Sequence, residues 1–231
     1  MSQLQQVKLS TPLFDEVVPS TKKKVKIKPF RVADEKVLLV AAESKDTKQM
    51  ISALRQVVGN CVDGVDVEEL ASFDLEYLFM KLRAVSVGES TDVSIKCKSC
   101  ETANKVNVDL STISVVNDPT HNREVKISDD LMFIMKYPDI TDINVSGSLD
   151  SMLDVIVESV STVIFGEEAI EITDAEKEDL KNIVNDMTTS QFSAVRDFFE
   201  TMPKLKKEIE FDCKECMHLN KLTLEGMADF F

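Results

Sequence analysis

The chain has 231 residues, 43% hydrophobic and 29% charged, with 27 Lys and Arg against 41 Asp and Glu for a formal net charge of −14. This is the composition of an ordinary folded chain with its own core, and it excludes collagen-like, rod-like and wholly disordered classes. The charge repels a phosphate backbone and so disfavours nucleic acid as a partner, and the longest apolar run, Val37 to Ala42, falls far below the ~18 residues of a membrane-spanning helix.

Residues 1–20 lack the basic flank and apolar block of a secretory leader, so the expected compartment is a reducing cytoplasm with the cysteines as thiols. Lys24, Lys26 and Lys28 then alternate with Val25 and Ile27 ahead of Pro29, the pattern of a half-buried strand. Lysine and proline together suggest a protected sheet edge, with a lysine-lined binding patch as the other reading.

Residues 33–60 favour two helices meeting near Ser44 to Asp46, with Gly59 and Asn60 as the expected stop. A short helix over Asp66 to Leu70 and a longer one over Asp74 to Ser86 follow, the latter presenting Leu75, Leu78, Phe79 and Leu82. After Gly88 the apolar period changes from helical to two, so strands replace helices through Pro138.

A Gly/Ser break at Ser146 to Ser148 leads to an expected amphipathic helix carrying Leu149, Met152, Leu153, Ile156, Val160, Val163 and Ile164, with Asp150, Asp154 and Glu158 on its wet face. Acidity is concentrated here, with thirteen Asp and Glu against two Lys from 139 to 186. Thr173 with Glu176 has the form of a capping box, Thr189 is the expected cap of a helix bearing Phe192, Val195, Phe199 and Met202, and Pro203 ends it. A strand from Lys207 to Asp212 follows.

Two segments match position by position: Ile95-Lys-Cys97-Lys-Ser-Cys100, three residues, then Asn104-Lys-Val-Asn-Val108; and Phe211-Asp-Cys213-Lys-Glu-Cys216, three residues, then Asn220-Lys-Leu-Thr-Leu224. Each reads as a β-hairpin whose turn holds two thiols. Two such knuckles complete a tetrahedral site, so Cys97, Cys100, Cys213 and Cys216 are the expected ligands of one structural zinc, with iron as the minor alternative for the same sulfurs. A redox C-x-x-C needs one pair at a helix start, and disulfides are disfavoured in the cytoplasm. His218 is expected to be a solvent-exposed turn residue rather than a ligand, and Cys61 a small buried apolar residue.

The expected fold class is α+β, a helical bundle combined with a split zinc-ribbon-like β element built from the two C-x-x-C hairpins, with a long, largely helical insertion between its halves. The expected segments are 1–90 (strand and helical block), 91–138 (first knuckle and β segment), 139–205 (acidic helical segment) and 206–231 (second knuckle and tail), forming one compact domain. Catalytic motifs are missing: with only His121 and His218 and six glycines, the chain has no phosphate-binding glycine loop, zinc-protease helix or nucleophile elbow, and Glu167 with Glu168 is indistinguishable from solvated charge. The end, Met227 to Phe231, is either an aromatic anchor for a partner or a tail folded onto its own core.

Three stretches carry a family likeness: Lys28-Pro-Phe-Arg-Val-Ala-Asp-Glu-Lys-Val-Leu-Leu-Val-Ala-Ala-Glu-Ser44, Gln56-Val-Val-Gly-Asn-Cys61, and Phe73 to Glu89 running into the first cysteine pair. Together with the second knuckle they resemble the baseplate hub assembly proteins of T-even-type tailed bacteriophages. The resemblance implies a non-enzymatic late protein, either a hub component or an assembly factor, with other phage baseplate hub or tail proteins as partners. It would reside in the host cytoplasm during assembly or in the virion tail baseplate. The alternative class is a zinc-ribbon module binding nucleic acid or a transcription complex, which Lys98, Lys105, Lys214 and Lys221 would serve.

Overall fold

A computed structural model describes residues 9–143 and 149–230. In chain order the elements are β1 (Phe14–Val17), β2 (Lys24–Ile27), α1 (Val32–Ser44), α2 (Thr47–Cys61), β3 (Val62–Asp63), α3 (Ser72–Ser86), β4 (Ser90–Lys96), β5 (Ala103–Asp109), β6 (Ser114–Val116), β7 (Glu124–Lys126), β8 (Leu131–Met135), α4 (Ile140–Ile143), α5 (Leu149–Ser159), β9 (Val160–Phe165), β10 (Glu168–Glu171), α6 (Lys177–Asn185), α7 (Thr189–Thr201), β11 (Lys204–Asp212) and β12 (Leu219–Glu225). The protein is a mixture of helices and antiparallel sheets that divides into two units. One is assembled from residues 1–70, 74–114 and 206–231; the other comprises 71–73 and 115–205.

In the first unit β1, β2 and β3 form one antiparallel sheet in that order. The lysine strand is therefore central, and the expectation of a sheet edge is corrected. Two of the lysines pair with acids on the flanking strands: Lys26 Nζ meets Asp15 Oδ1 at 2.8 Å and Lys28 Nζ, one residue past β2, meets Asp63 Oδ1 at 3.3 Å.

The break between α1 and α2 falls where expected, with Lys45 in the left-handed conformation and Asp46 accepting the backbone N–H groups of Lys48 and Gln49. Gly59 and Asn60 do not stop α2, which continues to Cys61. Gly59 is there for close packing, since a Cβ at that position would lie 3.2 Å from Val67 Cγ2. Asn60 donates its side-chain amide to Asp34 Oδ1 at 3.0 Å, joining the end of α2 to the start of α1. The expected helix at Asp66 is a single 3₁₀ turn, Val67–Glu69. On α3 the four predicted apolar residues are all buried, and Asp74 in its first turn accepts the Ser20 backbone N–H at 2.9 Å and the Ser20 hydroxyl. Phe230, in the 3₁₀ turn Met227–Phe230, is fully buried, so the tail folds back rather than offering this ring as an anchor. Phe231 and the expected break at Ser146 to Ser148 lie outside the described residues.

The second unit holds an antiparallel sheet of order β10-β9-β8-β7. Its core joins Phe133 and Met135 of β8, Ile156 and Val157 of α5, Leu180 of α6, and Val195 and Phe198 of α7. This sheet corrects the expectation of a largely helical insertion. The helix expected to run through Ile164 ends at Ser159, and β9 follows without a loop. Val160, Thr162, Val163 and Ile164 are β-branched, and β8 supplies a ladder for them from Leu131↔Phe165 to Ile134↔Thr162. Thr173 and Glu176 pair in the turn before α6, which starts at Lys177, and the cap of α7 is Thr188 with Gln191 rather than Thr189. Asp154 and Glu158 of α5 accept Lys181 and Lys177 of α6 at 2.6 and 2.7 Å, so these acids link two helices.

Candidate metal centre

The matched segments form two hairpins of equal length in the first unit. β4 pairs with β5 from Ser90↔Asp109 to Lys96↔Ala103, and β11 pairs with β12 from Lys206↔Glu225 to Asp212↔Leu219. The turns are alike as well. The Cys97 N–H donates to the Thr102 carbonyl at 2.9 Å and the Cys213 N–H to the His218 carbonyl at 3.0 Å. Glu101 and Met217, each four residues past the first cysteine of its pair, take φ of 59° and 57°.

These turns bring the sulfurs of Cys97, Cys100, Cys213 and Cys216 within 4.8 Å of one another. The close approaches run between hairpins, 3.7 Å for Cys97 to Cys216 and 3.6 Å for Cys100 to Cys213. Four sulfurs 2.3 Å from a tetrahedral ion would stand about 3.8 Å apart, so the spacing fits a metal-sized gap. Cys97 and Cys213 are buried, whereas Cys100 and Cys216 are exposed.

Around the sulfurs the polar groups are arranged in duplicate. The Ser99 N–H points at Cys97 Sγ (3.4 Å) and the Glu215 N–H at Cys213 Sγ (3.5 Å). Asn104, buried on β5, donates its Nδ2 to Cys213 Sγ at 3.6 Å and accepts the Lys214 N–H on its Oδ1 at 2.9 Å. Asn220, buried on β12, donates to Cys97 Sγ at 3.5 Å and accepts the Lys98 N–H at 2.9 Å. Both asparagines belong to the repeated pattern, and their recurrence at a fixed distance from the cysteines was the signal of a role beyond the ligands themselves.

Donors of this kind favour thiolate. Burial pushes the Cys97 thiol up, but the N–H groups of Cys100 and Ser99 and the Asn220 amide outweigh it and hold it at about 6. The N–H groups of Cys216 and Glu215 likewise hold Cys213 below the usual thiol range. Cys216 goes the other way: the His218 N–H lowers it, yet the crowding of the other sulfurs and its desolvation drive it up to about 12. Sulfurs this close resist full ionisation unless a cation sits among them, and the cluster could hold a metal ion.

The remaining singled-out residues stand apart from this cluster. The His218 side chain is exposed and supplies no ligand atom to the cluster among the described residues. Cys61 is 2% exposed with its Sγ 3.9 Å from Asp34 Oδ2, and burial followed by the Asp34 charge pushes its thiol up to about 11, which makes it inert. His121, in the second unit, meets Thr201 Oγ1 through Nδ1 at 3.0 Å and stacks on Tyr137, so it serves packing. Glu167 and Glu168 lie exposed at the β9–β10 turn.

Helices and antiparallel sheets carrying a four-sulfur cluster define a mixed helix-and-sheet protein with a candidate metal centre. The chain belongs to the family of the T4 bacteriophage base plate protein, whose family description matches residues 11–231. That membership supports a structural role in a phage tail baseplate. No curated protein and no solved structure matches the chain.

Proposed function

We propose that this chain is a non-enzymatic component or assembly factor of the baseplate hub, acting through contacts with other phage hub or tail proteins, and that Cys97, Cys100, Cys213 and Cys216 hold one structural zinc in a split zinc-ribbon arrangement. The observation that carries the metal assignment is the convergence of two matched turns on one gap bounded by four sulfurs. Four thiolates close a tetrahedral shell and leave no position for substrate or water, so zinc there would lock the hairpins together rather than catalyse. All-sulfur donors suit zinc or iron and disfavour calcium and magnesium. Membership of the baseplate family favours the contact role.

The alternative, a ribbon that grips nucleic acid, loses support at its own lysines. Lys105 is paired with Asp92 at 2.9 Å, Lys221 with Glu210 at 2.6 Å, and Lys98 Nζ donates to the Lys221 carbonyl at 2.8 Å. Phage particles assembled in a host producing either the native chain or a Cys97→Ser/Cys213→Ser variant test the reading. Native chain recovered with hub proteins, and a folded variant that loses them, is the expected result. Recovery with DNA or polymerase, or hub assembly without the chain, would overturn it.

A further inference from the structure

We infer that the free edge of β10 is a docking strand for a basic extended segment of a partner protein, added antiparallel or parallel to the second unit's sheet. β10 is the end strand of its sheet, bonded to β9 on one side only among the described residues. The Ile172 N–H donates inward to the Ser161 carbonyl at 3.0 Å, and Ile170 and Glu168 fall on the same phase opposite Val163 and Phe165. Alternation in an antiparallel ladder therefore turns the N–H and C=O groups of Ala169 and Glu171 outward, away from β9.

The edge also has an apolar shelf. Val163 is in the core, and its cross-strand partner Ile170 and its same-face neighbour Phe165 share that side of the sheet, yet they are 42% and 60% exposed. One more strand would extend the sheet over this uncovered border. The shelf and the unpaired groups adjoin, which is the combination used when a peptide adds to a sheet edge.

Charge selects the occupant. Edges are commonly guarded by lysine or proline, but this one carries Glu167, Glu168 and Glu171, none of them in an ion pair among the described residues. The two lysines of this acidic stretch, Lys177 and Lys181, are already committed to Glu158, Asp174 and Asp154. The uncompensated carboxylates repel another acidic strand, including the β10 edge of a second copy, and attract one in which Lys or Arg alternates with apolar residues. The proposal depends neither on the metal nor on the hub assignment.

A synthetic peptide alternating Lys with Val, and a counterpart with Glu in place of Lys, probe the full-length protein by titration and amide hydrogen exchange. The Lys peptide is expected to slow exchange at Ala169 and Glu171 at least tenfold, and the Glu peptide to leave it unchanged. Ala169→Pro removes an outward N–H without touching the β9 ladder and is expected to weaken Lys-peptide binding at least tenfold at an unaltered melting temperature. A Glu167→Lys/Glu168→Lys/Glu171→Lys variant is expected to reverse the preference to the Glu peptide, and it decides the matter if the proline variant fails to fold. Equal binding of both peptides, protection elsewhere in the chain, no binding at millimolar peptide, or self-association through β10 in sedimentation would each overturn the proposal.

Discussion

Asn104 and Asn220 each cross to the opposite hairpin and make the same two contacts there, an amide N–H to the first cysteine sulfur and a carbonyl oxygen to the next residue's N–H. The exchange is reciprocal, so each knuckle is shaped partly by the other strand pair. This accounts for buried carboxamides at matched positions in a sequence where only the thiols have an evident ligand role. The asparagines orient the sulfurs before any ion arrives.

Asn104→Ala or Asn220→Ala is expected to cost about 1–3 kcal/mol by removing a buried carboxamide and leaving the Lys214 or Lys98 N–H without its acceptor. Loss of the partner to a ligand sulfur is expected to weaken metal affinity by roughly 10- to 100-fold. Denaturant unfolding and competition with a chromophoric chelator measure the two effects. Wild-type values in both would show that the contacts are incidental to the site.

Purified, reduced protein is expected to contain about one zinc per chain by elemental analysis. Structural zinc contributes on the order of 10–16 kcal/mol in small peptides, comparable to a whole domain's stability of about 5–15 kcal/mol, so a strong chelator should lower the melting temperature sharply. Helical circular dichroism should fall only in part, because α5, α6 and α7 have a core of their own. Cys→Ser at any of the four positions should reduce metal content, whereas Cys61→Ser should retain it. A never-chelated preparation without metal would refute the assignment.

Glu76 on α3 accepts the Met227 N–H while burial raises its carboxyl above the usual range. Its folded form therefore binds protons more readily than its unfolded form, and stability from this group is present at low pH and lost as pH rises through the raised value. Glu76→Gln keeps an acceptor oxygen and removes the charge. It is expected to melt higher than wild type at pH 7, with the advantage gone near pH 4, and a pH-independent difference would contradict the linkage.

Asp34 shows the opposite sign. Burial raises its carboxyl, but the Arg31 N–H and the Asn60 amide, at 2.9 and 3.0 Å, together with the Arg31 charge, bring it below the ordinary value. Stability from Asp34 is thus present above the ordinary aspartate pKa and lost as pH falls through the lowered one. Asp34→Ala should cost about 1–3 kcal/mol near neutral pH, since two donors lose their acceptor. Asp34→Asn should cost less and flatten the acid limb of a melting-temperature profile.

Where local chemistry decided the outcome, the sequence was readable. The hairpins, their thiols, the α1–α2 break and the buried residues of α3 all follow from spacing and turn residues. Legibility failed where distant chain segments supplied the deciding contact. The Val160 to Ile164 run has helical spacing, and only the presence of β8 alongside turns it into a strand. Gly59 resembles a stop until Val67 is seen against it, and the lysine strand resembles an edge until β1 and β3 are placed on either side. Asp34, which nothing in the sequence sets apart from the rest of its helical run, acquires its role from Asn60 twenty-six residues later.

The two hairpins are separated along the chain by residues 115–205, all of the second unit but 71–73. At about 5–20 residues per second, a ribosome that has released the first cysteine pair needs roughly 6–23 s to deliver the second, 116 residues on. For that interval the Cys97–Cys100 half stands without Lys214 for Asn104 to hold and without the other two sulfurs, while residues 115–205 have everything needed to close their own core. Completion of the first unit therefore waits on translation of the second hairpin, and a message cut short after Leu205 would yield a chain that keeps every residue of its second unit and leaves its first permanently open.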